Sequence, residues 1–225
     1  MKKLSFLIVF LFILSFFIWS GETISGEKYY LMSVEELKKT EQELMTLPDS
    51  YEKYANLGML YHFISFFTNT GAKNAVDYLE KAQSLQYNYL IETYLGSSYS
   101  MLTRDVKEVM GKVKLVLNAF NILDRIYKNH KEEYEVFTTY VSVCLSVPDD
   151  IFHKLGNAEN AIKVMENNFS NYSKEQQADI LYLKGEVLLQ RKKKKDAINL
   201  WALVIKEYSE TNAAVKSKKM TEKIQ

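Results

Sequence analysis

The chain has 225 residues, 47% apolar and 25% charged, with a net charge of +1 at neutral pH. That supplies a sizeable core and excludes the strong general attraction to nucleic acid or membrane that a basic surplus would give. One cysteine, Cys144, excludes an internal disulfide and any multi-cysteine metal site, and only two prolines and eight glycines leave few helix breakers.

Met1, Lys2 and Lys3 precede a stretch without charge, residues 4–19. A basic start followed by an apolar run predicts an export signal, residues 1–20. Small residues at Ser20, Gly21, Ser25 and Gly26 offer cleavage sites. The alternative is an uncleaved N-terminal anchor, the chain's one route to a membrane. With the two lysines inside, both readings put the remainder outside the cytoplasm, periplasmic or secreted. No cysteine follows the apolar run, so a lipoprotein anchor is excluded. Residues 21–32 read as a tether and residues 33–225 as a single helical domain. Residues 174–225 hold 12 basic and 7 acidic side chains, against 15 and 21 in residues 21–173. The expectation is a solvated cap at one end, with a dipolar binding surface as the alternative.

Ser33 to Glu36 form a capping box, in which hydroxyl and carboxylate each satisfy a free backbone N–H. The helix that it opens should run to about Thr46 and stop before Pro48. Residues 51–70 follow as a long apolar-rich helix with Tyr54, Leu57, Gly58 and Tyr61 at helical spacing. After a turn at 69–71, Ala75, Leu79 and Ala82 mark a second helix. The pattern restarts over 87–104 with Leu95, Gly96 and Tyr99, and is answered by Ala119, Leu123 and Ile126. Residues 105–116, between the two, have helical periodicity and should extend the second helix or make a short extra one. Pro148 stops a helix over 133–147, and residues 149–156 read as irregular. Ala158, Ala161, Ile162 and Met165 mark the next helix. In residues 178–211, Leu181, Gly185, Leu188 and Leu189 share one helix face. Ala197, Trp201 and Val204 share another, across the basic turn 191–195. The remainder is a polar closing helix, as an exposed array end requires.

Residues 178–211 resemble a tetratricopeptide (TPR) repeat, a helix–turn–helix unit of about 34 residues. The resemblance rests on small Gly185, small Ala197 twelve positions on, and large Trp201 four further. It implies an all-α, TPR-like right-handed superhelix of antiparallel helix hairpins, in about four irregular repeats, with the first helix of each lining a concave groove. The middle of the chain is similar to a narrower exported bacterial family of TPR-like proteins with no assigned chemistry. That similarity rests on Tyr94-Leu95-Gly96-Ser97, Arg104-Asp105, the stretch 119–124, Pro148 with Phe152, and the stretch 160–166. The tryptophan and proline frequent in that family after the Arg-Asp pair are absent here.

The residues name no chemistry. His62, His130 and His153 are scattered, and no H-E-x-x-H, G-x-S-x-G or Gly-rich phosphate loop occurs. His62 reads as a core residue, His130 as a helix C-terminus, and His153 with Asp149 and Asp150 as turn and cap. Cys144, among valines and a leucine, reads as a buried inert thiol. Of the aromatics on first helices, most should pack between helices. Tyr94, Tyr99 and Arg104 are the groove candidates, with Phe152 as a further binding candidate. No catalytic residue, cofactor or metal is expected. The leading expectation is a non-catalytic scaffold outside the cytoplasm whose partner is a protein or peptide of the cell envelope, not nucleic acid. The alternative is an accessory, ligand-binding component of a membrane transporter, with a small ligand in the enlarged central repeat. An enzyme would require His153, Asp149 and Arg104 to meet in one cleft.

Overall fold

Helical periodicity carries through the computed structural model, which describes residues 25–224. The expected export signal or anchor, residues 1–20, lies outside the described residues. Among these there are twelve α-helices and no strand, and no helix is long and apolar enough to cross a membrane. In chain order the helices are α1 (Glu27–Tyr30), α2 (Val34–Met45), α3 (Tyr51–Thr68), α4 (Ala72–Leu85), α5 (Tyr89–Leu102) and α6 (Val109–Asn129). Then come α7 (Tyr134–Ser146), α8 (Asp149–Phe152), α9 (Leu155–Asn167), α10 (Lys174–Gln190), α11 (Lys194–Glu207) and α12 (Asn212–Ile224).

Local chemistry sets the ends. Ser33 accepts from the Glu36 N–H at 3.3 Å, and the Glu36 carboxylate accepts from the Ser33 N–H at 2.7 Å, completing the expected capping box. Ser173 and Gln176 repeat the device at the start of α10. Asn69 closes α3 in the left-handed region, and Gly71, at φ +96°, opens α4.

The helices pair as antiparallel hairpins in two layers, as the sequence predicts for an all-α array. Helices α3, α5, α7 and α10 pack side by side as an inner layer, with α12 beside α10. Helices α4, α6, α9 and α11 each pack against the preceding inner helix. In three of these pairs a glycine lets the helices meet: a Cβ on Gly58 would lie 2.5 Å from Leu79 Cγ, and one on Gly96 2.8 Å from Leu123 Cγ. On Gly185 it would lie 2.6 Å from Trp201 Cε2. Trp201 is fully buried, and its indole N–H donates to the Tyr182 carbonyl at 3.1 Å. One core cluster lies beneath α1–α5, a second joins α6–α10, and a small third closes the α12 end.

Residues 105–116 take the first of their two expected forms and extend the second helix at its start: a turn follows Arg104, and α6 runs unbroken from Val109. Two segments differ from the sequence reading. Residues 149–156 are less irregular than expected, because α8 forms one turn and His153 closes it at φ 53°. Asp149 accepts from the Leu155 N–H at 2.7 Å, which makes this the turn-and-cap arrangement. The second difference matters most. The expected tether is, from Ser25 onward, packed against the inner layer, with Tyr29 only 1% exposed.

Candidate functional site

The inner layer presents aromatic and polar side chains to the segment 25–32, which meets three of its helices, α3, α5 and α7, and the closing helix α12. On α3, Asn56 accepts from the Tyr29 hydroxyl at 2.6 Å, and Phe63 lies beside both Tyr29 and Tyr30, with ring centroids 6.5 and 6.1 Å away. The Asn56 amide donates to the Glu52 carbonyl at 2.8 Å, which orients it to receive that hydroxyl. Phe67, one turn on, stacks against Tyr30. On α7, Glu135 is the central acceptor. Its carboxylate takes the Ser25 hydroxyl at 2.5 Å, the Gly26 N–H at 2.9 Å and the Tyr94 hydroxyl of α5 at 2.5 Å. Three donors on one carboxylate leave it well satisfied although part-buried.

The far end is ionic. Lys216 of α12 donates to the Tyr30 hydroxyl and approaches Asp179 of α10 at 3.5 Å, with its ammonium 4.8 Å from the Tyr30 ring centroid. Asp179 is buried and accepts from the Tyr134 hydroxyl at 2.7 Å. Burial draws the Lys216 ammonium down, but Asp179 and Tyr30 outweigh it, so its pKa is raised and the charge is held. Burial, followed by nearby Glu135, pushes the Tyr94 phenol well above its usual range, so it stays a donor. Burial also raises the Glu186 carboxyl, one turn beyond Tyr182.

The four candidates do not form one site. Tyr94 is on the inner face, buried beneath Gly26, where a Cβ would overlap its ring. Tyr99 turns the other way and donates to Glu80 of α4, bracing a hairpin. Arg104 ties the ends of α5 and α3, donating to Asn69 and, at 3.3 Å, to the Ser65 carbonyl and hydroxyl. Phe152 packs on the second core cluster, apart from the first, to which Tyr94 and Tyr99 belong. His153 closes α8 and Asp149 accepts from the Leu155 N–H, while the Arg104 guanidinium is engaged with α3. Tyr54 and Tyr61 stack on Tyr78 of α4, between helices as expected. His62 is core, its Nδ1 3.1 Å from the Ser98 hydroxyl. Burial, then the Arg104 charge, lowers its pKa to about 3. Cys144 is buried too, and burial pushes its thiol up to about 12.

Sequence reasoning missed Asn56, Glu135, Asp179 and Lys216. Two signals pointed toward them. Tyr29-Tyr30 is an aromatic pair in a segment read as a tether, and Asp179 is an acid enclosed by Ala178 and Ile180 on a helix. Among the described residues, no group of three or more His, Cys, Asp or Glu side chains is arranged to hold a metal ion. Compared with known proteins, the chain matches no family model, no curated protein and no solved structure.

Proposed function

We propose that this chain is a non-catalytic, TPR-like interaction module that holds a peptide segment of another protein along its inner helical face, outside the cytoplasm. One observation carries the reading: that face already holds an eight-residue segment, 25–32, through side chains of α3, α5, α7 and α12. The hold combines one deeply seated aromatic with directed hydrogen bonds at both ends, the way a groove grips a peptide. Export enters from the lysine-led apolar start and gives the partner's place as the cell envelope.

The test places a photo-crosslinking amino acid in the full chain, in cells that make the protein. One variant carries it at Phe67, beside the segment, and another at Leu203, exposed on α11 of the outer layer. A defined partner captured from Phe67 and not from Leu203 supports the inner face. Capture from Leu203 alone, or equally from both, refutes it.

A further inference from the structure

The segment 25–32 has the properties of a resident ligand. Its helix, α1, is a single turn, too short to persist unaided. Only Tyr29 is fully enclosed among its larger side chains, while Leu31 is 64% exposed and Glu27 and Lys28 are exposed. Polar bonds hold it at both ends: Ser25 and Gly26 on Glu135, Tyr29 on Asn56, Tyr30 on Lys216. A competing peptide remakes the same bonds while those of the segment return to water, so the exchange turns on peptide concentration against that of the tethered segment.

Resting on the groove reading, we propose that the partner is a protein presenting a small–x–x–aromatic–tyrosine segment, that glycine is required at the small position, and that residues 25–32 compete with it for the same face. The pattern follows from the contacts. A Cβ at Gly26 would lie 2.9 Å from Tyr94 Cε2 and overlap its hydroxyl. Tyr94 cannot yield, because it is buried and its hydroxyl is tied to Glu135. Three positions on, the pocket between Asn56 and Phe63 takes an aromatic with a hydroxyl at its tip. The next position needs a phenol that receives the Lys216 ammonium and stacks on Phe67. The two positions between, Glu27 and Lys28, are exposed and are left open in the pattern.

The experiment uses the full chain and a fluorescent peptide, Ser-Gly-Glu-Lys-Tyr-Tyr-Leu-Met, read by anisotropy. Gly26→Val unseats the resident segment at one end and Tyr30→Ala at the other, each checked for folding by circular dichroism and melting. Both variants should bind the peptide at least about tenfold more tightly than the native chain, whose face is open only while its own segment is released. A peptide with valine for glycine should lose that gain. Added to the native chain, the peptide should speed hydrogen exchange at backbone amides 26–32, a reading that needs no variant to fold. The proposal is overturned if folded variants bind no better than the native chain, if the valine peptide binds equally, or if exchange at 26–32 is unmoved. A native dimer dissociated by the peptide also overturns it, because the occupant is then a second copy. A partner crosslinked at Phe67 that lacks the pattern sinks this inference and leaves the groove reading standing.

Discussion

Lowering the pH from 7 to 5 should destabilise the fold through His62. The ring is buried, set edge-on to Phe63 and Tyr94 with centroids 5.1 and 4.9 Å away, and its Nδ1 faces the Ser98 hydroxyl. In the unfolded chain an imidazole takes up a proton near pH 6.5, whereas in the folded protein burial and Arg104 delay that to about pH 3. The unfolded state therefore binds the extra proton across this window. The stability contribution is present above pH 6.5 and is lost as pH falls toward 3, at about 1.4 kcal/mol per pH unit. Between pH 7 and pH 5 the loss is about 2 kcal/mol. The half-buried Glu186 carboxyl works in the opposite sense, because its raised pKa makes the folded state take up a proton first. A comparison with His62→Gln cancels that term, since both chains share it. Urea unfolding of the two chains at both pH values gives the difference. The native chain should lose about 2 kcal/mol more than His62→Gln over the interval, with unchanged denaturant slopes. Equal losses in the two chains would falsify the assignment of a neutral, enclosed ring.

Gly185→Ala gains about 1 kcal/mol of helix propensity, but it drives a methyl into the buried Trp201 ring, for which overpacking costs about 1–3 kcal/mol. Thermal melting should show a net loss, and an unchanged or raised midpoint would refute the close approach of α10 and α11. Cys144 should resist thiol reagents at pH 8, where a thiol of pKa about 12 is almost wholly protonated, and should label only as the chain unfolds in urea. Rapid labelling in native buffer is the contrary result. Ser33→Ala removes the capping hydroxyl of α2 and should cost about 1 kcal/mol in chemical denaturation, with Ser33→Gly costing less. A null effect would mean that Glu36 holds the cap alone.

The hairpins were legible in the sequence because their signals are local. Caps, turns and small-to-large pairs such as Gly58 with Leu79 and Gly185 with Trp201 lie within one repeat, and helical periodicity places them on facing surfaces. The candidate site was not legible, because its contacts span the chain. Ser25 meets Glu135 across 110 positions, and Tyr30 meets Lys216 across 186. Each of those residues, taken alone, reads as an ordinary exposed side chain. Aromatic enrichment on the first helices did signal that something was packed there. It could not separate Tyr94, which faces the segment, from Tyr54, Tyr61 and Tyr99, which brace helix α4. Arg104, a groove candidate in the sequence, instead spends its guanidinium on the left-handed end of α3 at Asn69.

Tyr30 and Lys216 join the start of the described chain to its last helix. In an ordinary linear array each unit leans only on its neighbours, so melting begins at whichever terminus is weaker and travels inward. Here a strap laid across the stack fastens the first unit to the last. Fraying of α12 must release Tyr30, and loosening of the strap removes a partner from α12. The two ends are therefore coupled, and whatever lifts the strap would also soften the opposite pole of the molecule.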